Sequence, residues 1–154
     1  MFGDYVLDVA ADQENAMCVP HYSVDDDGLQ QRWTDGSWCN PPYSNITPWV
    51  ECAIEQEVRA TLLIPAPNGE SRDLLTLSHA SDLVFFQERV AFVDPDSGKA
   101  RGGNPRGSVL AHFDPNIKRS SPQVWIVPKD IATCYKRSSD FRDFWFKGIF
   151  IESW

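Results

Sequence analysis

An α/β fold with a mostly parallel sheet and a terminal antiparallel strand pair is the fold class this sequence predicts. Three observations carry it. Short apolar runs recur along the chain and end in small or polar residues, as strands buried on both faces do. Two segments with helix signals fall between them. The resulting order of strand, helix, strand, helix and strand pair is that of a sheet with crossovers. At 154 residues and 42% hydrophobic, 12% aromatic composition, the chain suits a single domain, 1–154, with one core.

Tyr5-Val6-Leu7-Asp8-Val9-Ala10-Ala11 reads as a buried strand opening into a loop. Residues 12–37 are polar and carry Asp25-Asp26-Asp27 followed by Gly28-Leu29. Ser37-Trp38-Cys39 reads as a second short strand. A helix is predicted from Thr47, with Thr47 as N-cap, Pro48 at the first helical position and Glu51 closing the first turn. Ala60 to Ala66 is a strand, and Ser71 to Ala80 a short helix with its leucines on one face. Leu83 to Phe86 and Arg89 to Val93 are two strands or one bent strand. Asp94 to Gly107, rich in Pro, Gly and charge, reads as a loop, and Ser108 to Phe113 returns to strand. The segment 122–154 concentrates Trp125, Phe141, Phe144, Trp145, Phe146, Phe150 and Trp154, which suggests a satellite packing cluster.

Several classes of function are disfavoured. No run of about 18 apolar residues suggests a membrane span. The start Met1-Phe2-Gly3-Asp4 lacks the basic-then-apolar pattern of a signal peptide. Cys18, Cys39, Cys52 and Cys134 have no paired-ligand spacing, so no metal is expected and reduced thiols in a cytoplasm are. His21, His79 and His112 are scattered, and His112 in its strand pattern reads as a packed histidine. The net charge of −8 would oppose DNA unless basic residues gather locally; Lys99, Arg101 and Arg106 do so in one loop.

Asn40-Pro41-Pro42-Tyr43 is the most specific motif. It would arise by chance in roughly one chain of this length in several hundred. An amino nitrogen conjugated to a ring, or an amide nitrogen, is a weak nucleophile because its lone pair is delocalised. Two acceptors on its N–H bonds draw that pair out of conjugation. The Asn40 oxygen and a Pro-Pro carbonyl, held outward by proline φ near −65°, are suited to this, and Tyr43 offers a flat stacking face. Asp8 and Asn40 both fall at carboxyl ends of predicted strands, where α/β sheets bind ligands.

Val6-Leu7-Asp8-Val9-Ala10-Ala11-Asp12, then Asn15, Asp27-Gly28-Leu29, Trp33 and Trp38-Cys39-Asn40-Pro41-Pro42-Tyr43-Ser44, together resemble the phage-type DNA N6-adenine methyltransferases. Weaker support comes from Leu62 to Ala66, Arg89 to Phe92 and Ser108 to Leu110, so the resemblance covers about residues 4–114. It implies an abbreviated Rossmann-like S-adenosylmethionine-dependent fold and methyl transfer to the N6 amino group of adenine in DNA, flipped out of the duplex. It places Asn40, Pro41, Pro42 and Tyr43 in catalysis. Asp8, Ala10 and Ala11 would lie at the methionine end of S-adenosylmethionine, Asp27 at its adenine, and Asn15 nearby. Lys99, Arg101 and Arg106 are the expected DNA contacts. Glu88-Arg89 stands where the family tends to have Gly-Arg, and Met1 sits almost on the first strand where relatives carry an upstream Thr-Pro segment. The same tetrad also suits methyltransferases of RNA adenine or protein glutamine, and a non-catalytic relative binding a protein partner is the remaining alternative.

Overall fold

The computed structural model describes residues 5–69, 71–87, 90–93, 100–101, 107–127 and 149–151, with backbone alone for 90–93, 100–101 and 149–151. Its elements are β1 (Leu7–Asp8), β2 (Ser37–Cys39), α1 (Thr47–Glu55), β3 (Ala60–Pro65), α2 (Ser71–His79), β4 (Asp82–Phe86), β5 (Val90–Val93), β6 (Ala100–Arg101), β7 (Ser108–Phe113), β8 (Gln123–Val127) and β9 (Ile149–Ile151). β1, β2, β3, β7, β4 and β8 lie side by side in that order in one six-stranded sheet; β6, β5 and β9 form a smaller one.

The α/β class and the mostly parallel sheet are observed. β1–β2, β2–β3 and β4–β8 pair parallel, while β7 pairs antiparallel with both β3 and β4. In the larger sheet β7 alone runs against the other strands, and it lies inside the sheet rather than at an edge. The crossovers through α1 and α2 have the length that parallel pairing demands. β4 and β5 are separate strands in different sheets, which settles the choice between two strands and one bent one.

Strand alternation splits the core between the two faces of the sheet. On one face Cys39, Leu62, Ile64, Leu83, Val109 and Ala111 pack beneath Trp49, Val50 and Ala53 of α1. On the other, Trp38, Leu63, Val84 and Leu110 meet Tyr5, Met17, Phe86, Trp125 and Val127. All six residues of β3 and of β7 are buried, as the middle of a covered sheet requires.

Local details differ from expectation in four places. The N-cap of α1 is Ile46, without a side-chain cap bond, so Thr47 opens the helix instead of capping it. Buried Ile46 anchors the entry, and its carbonyl accepts from Trp49 and Val50 N–H at 3.0 and 3.2 Å. α2 buries Asp73 and Thr76 and packs Leu75 against the core, whereas Leu74 and Leu77 are exposed, so its leucines do not share one face. The Asp73 carboxylate is what the helix start is built on: it accepts from Asn68 and Gly69 N–H at 2.7 and 2.8 Å and pairs with Arg72 at 3.3 Å. Within the predicted 94–107 loop, Ala100–Arg101 pairs with β5. Residues 123–127, within the segment read as a satellite packing cluster, form β8 beside β4. The remainder of the aromatic C-terminal segment, β9 apart, lies outside the described residues, as does Cys134.

His112 is packed, as its strand pattern suggests. Its Nδ1 lies 2.9 Å from Thr61 Oγ1, and burial holds its pKa below the ordinary 6.5, against the opposing pull of Asp82 and Asp114. Because the folded-state pKa is the lower one, stability is full above 6.5 and falls as pH drops through the folded value. A melting temperature that declines between about pH 7 and 5, with a flatter profile in His112→Gln, is the expected result; identical profiles would show that His112 does not contribute.

Candidate active site

Five strands of one direction bring their carboxyl ends to a common edge, and β7, running oppositely, brings its first residue there. Asp8 ends β1, Asn40 follows β2, Ala66 follows β3, and Ser108 begins β7. The register sets their order: Asp8 pairs with Trp38, Cys39 with Leu62, and Pro65 with Ser108.

Asp8 is 2% exposed. One carboxylate oxygen accepts from Met17 N–H at 2.8 Å and the other from Ala10 N–H at 3.2 Å. Burial raises its pKa, and these two bonds oppose the rise. The carboxylate therefore works inward, shaping the turn through Ala10 and Ala11. Asn15 and Asp12 close the far side of this loop reciprocally: Asn15 Oδ1 accepts from Asp12 N–H, and Asp12 Oδ1 from Asn15 N–H, both at 3.0 Å.

Asp27 is brought to the same turn by its neighbour. A Cβ on Gly28 would lie 2.0 Å from the Val9 carbonyl oxygen, so only glycine permits this approach. Asp27 itself is exposed and adopts a φ of 53°. Three further bonds hold the segment. Trp33 Nε1 donates to the Gly28 carbonyl at 2.8 Å, Gln56 Nε2 to the Gln31 carbonyl at 2.8 Å, and Tyr22 N–H to the Asp8 carbonyl at 2.8 Å. Of the residues expected around a cofactor, Asp8, Ala10 and Ala11 thus lie on one turn, and Asp27 lies on a second turn that meets it where Gly28 approaches Val9. The exposed Asp27 carboxylate, an acceptor, suits a ligand carrying hydroxyls and positive charge, as S-adenosylmethionine does.

Asn40 is half-buried, Pro41 buried and Pro42 exposed. The Pro42 carbonyl accepts from Asn45 N–H at 3.1 Å, closing the turn into α1. Among the described residues no hydrogen bond engages the Asn40 side chain or the Pro41 carbonyl. Two acceptors therefore stand available at the end of a buried strand. Tyr43 is half-buried against the α1 side of the core, and its hydroxyl lies 3.2 Å from Ser108 Oγ. Burial raises the Tyr43 pKa, so the phenol is neutral at physiological pH. Sequence reasoning missed Gly28 and Ser108 as site residues. The Asp-Gly pair signals a turn, but neither residue type reveals a contact made far along the chain.

The expected DNA-contact loop is only touched by the described residues. Arg101 lies on β6 opposite Phe92, and Lys99 and Arg106 fall outside them. No group of three His, Cys, Asp or Glu side chains among the described residues could hold a metal, and no described helix is long and apolar enough to cross a membrane. A cavity of about 540 Å³ opens at the opposite edge of the sheet, between the carboxyl ends of α1 and α2 and the turn after β7, remote from the tetrad.

A mostly parallel sheet carrying these turns along its carboxyl edge is a methyltransferase-type α/β fold. The profile of the DNA N-6-adenine-methyltransferase (Dam) family matches residues 1–141, and the chain belongs to that family. It is 31% identical over 129 residues to the DNA N-6-adenine-methyltransferase of Escherichia phage T1, covering 71% of this chain and 54% of the relative. It is 25% identical over 121 residues to the DNA N-6-adenine-methyltransferase of Haemophilus phage HP1, covering 75% of this chain and 70% of that relative. The chain thus spans about half the length of the phage T1 protein. No solved structure matches it at a significant level.

Proposed function

We propose that this protein transfers a methyl group from S-adenosylmethionine to the N6 amino group of adenine in DNA. The observation that carries the proposal is the pair of acceptors, Asn40 Oδ1 and the Pro41 carbonyl, unengaged among the described residues and beside Tyr43 at the carboxyl edge. Family membership and the names of the two phage relatives support the same reaction.

S-adenosylmethionine, when bound, supplies an electrophilic methyl group on a sulfonium. The turn Asp8–Ala11 with Asp27 would hold it, and Asn15 lies on the adjoining loop. Asp8 contributes through the backbone it fixes, since its own oxygens are already engaged. The target adenine must leave the base stack, because its amino group is unreachable within it. Tyr43 stacks on the extruded base and offsets part of the few kcal/mol of unstacking. Asn40 and the Pro41 carbonyl each accept one N6 hydrogen, which localises the lone pair on the nitrogen and points it at the methyl. Positioning by fixed dipoles provides the catalysis, without a covalent intermediate.

Transfer of labelled methyl from S-adenosylmethionine to unmethylated duplex DNA tests the proposal. Label recovered as N6-methyladenine is the expected outcome. Label recovered only in RNA or protein would reassign the substrate, and no label with no cofactor binding by calorimetry would reject the enzyme reading.

Phosphate contacts are assigned to Lys99, Arg101 and Arg106, because a chain of net charge −8 needs a local cationic face to approach DNA. An Arg101→Ala/Arg106→Ala protein is expected to lower the slope of log affinity against log salt by about 0.9 for each phosphate contact removed. An unchanged slope would remove these residues from the interface.

A further inference from the structure

We infer that Ser108 is a positioning residue for Tyr43, holding its ring at the angle needed to receive the flipped base. The inference rests on the adenine-methylation reading and deepens it.

The geometry comes from the direction of β7. Because that strand opposes its neighbours, its first residue, Ser108, reaches the edge where β2 and β3 end. Ser108 is buried and paired with Pro65, and the Ala66 N–H donates to the Gly107 carbonyl at 3.2 Å, fixing the start of β7 to the end of β3. Gly107, at φ 68°, makes the entry that delivers the strand in this position. Tyr43 belongs to a different support, the turn between β2 and α1. Its hydroxyl meets Ser108 Oγ across 65 residues of chain.

A phenol hinged only at its Cβ can swing about two side-chain torsions. A bond at the far end of the ring, to a hydroxyl on a rigid buried strand, restricts both. A stacking platform gains from this restriction because the ring is ordered before the base arrives. Tyr43→Phe keeps the stacking face and loses the tether.

The test is a kinetic cycle on duplex DNA with Ser108→Ala, Tyr43→Phe and the double variant. Each single change is expected to raise KM for DNA about 3- to 10-fold, the scale of one lost neutral hydrogen bond, with kcat changed less. The double variant should be no worse than Tyr43→Phe alone, because both single changes remove the same Tyr43–Ser108 bond. Ser108→Thr, which keeps the hydroxyl, should restore KM. The ring resonance of Tyr43 in protein labelled with ¹³C-tyrosine provides a readout independent of activity; it should shift in Ser108→Ala and return in Ser108→Thr. Wild-type transfer with an unaltered KM in Ser108→Ala, additive losses in the double variant, or an unmoved Tyr43 resonance would each overturn the positioning role alone. No transfer by the wild-type protein would instead overturn the methylation reading on which it rests.

Discussion

Replacing Asn40 by alanine is expected to lower the rate of methyl transfer by about 10²-fold or more while leaving the melting temperature almost unchanged. The two halves of that expectation have separate causes. The side chain makes no hydrogen bond among the described residues, so truncating it strands no buried partner, and the usual penalty for an orphaned polar group does not arise. The tetrad stays in place because Pro41 remains buried and the Pro42 carbonyl still accepts from Asn45. What is lost is one of two acceptors that draw the amino lone pair out of conjugation. Asn40→Asp keeps an acceptor oxygen and should retain more of the rate than Asn40→Ala. Single-turnover rates beside thermal melts check this. Full activity in Asn40→Ala would end the proposed mechanism, and a loss of activity that merely followed a loss of folding would leave Asn40 a structural residue.

Gly28→Ala should damage the other half of the site, and through stability. The added Cβ would sit 2.0 Å from the Val9 carbonyl oxygen and 3.2 Å from the Val9 carbonyl carbon. Backbone cannot turn aside as the end of a flexible side chain can, so the two turns must separate. Trp33 and Trp49, with ring centroids 6.4 Å apart, are bound to the same junction: Trp33 donates to the Gly28 carbonyl, and Trp49 Cη2 would stand 3.4 Å from the new methyl. A loss of about 3 kcal/mol is expected, the upper part of the overpacking range, which lowers the melting temperature by roughly 6–12 °C in a domain of this size. Binding of S-adenosylmethionine should weaken with it, because Asp27 and the Ala10-Ala11 turn would no longer be held together. Asp27→Asn is the contrast. Asp27 is exposed and asparagine tolerates its φ of 53°, so this change should weaken binding with little effect on melting. Differential scanning calorimetry and titration of both variants distinguish the two roles; a Gly28→Ala protein that melts normally would show that the junction yields cheaply.

Much of this architecture is legible in the residues themselves. Ser37-Trp38-Cys39 is the observed β2, and the runs from Ala60 and Ser108 are β3 and β7. These strands are buried on both faces, so burial writes itself into an unbroken apolar run. The tetrad was equally legible, because two prolines beside Asn and Tyr are compositionally rare. The losses share a cause. That Asp8, at its strand end, accepts from the Ala10 and Met17 N–H groups is not legible, because a backbone donor leaves no trace in residue type. The inner side of α2 carries Asp73 and Thr76 beside Leu75, and the polarity of the first two hides their burial, while Leu74 and Leu77 stay exposed. β8 was obscured because Val124 and Ile126 stay exposed while Trp125 and Val127 pack inward, which breaks the expected link between apolar and buried. Gly28 with Val9, and Ser108 with Tyr43, are pairs that only the folded chain brings together.

The central position of β7 also constrains how the protein comes into being. β3 cannot acquire its second neighbour until residue 113 has been synthesised, and the Thr61–His112 pair closes a span of 51 residues. Closing a loop of that length costs entropy before any contact repays it, so the sheet should assemble slowly and late. Until then the second edge of β3 is open, a ready template for pairing with another chain. On the ribosome, the first half of this protein would wait with its most apolar strand half-paired, and yield would depend on how quickly β7 arrives to fill the gap.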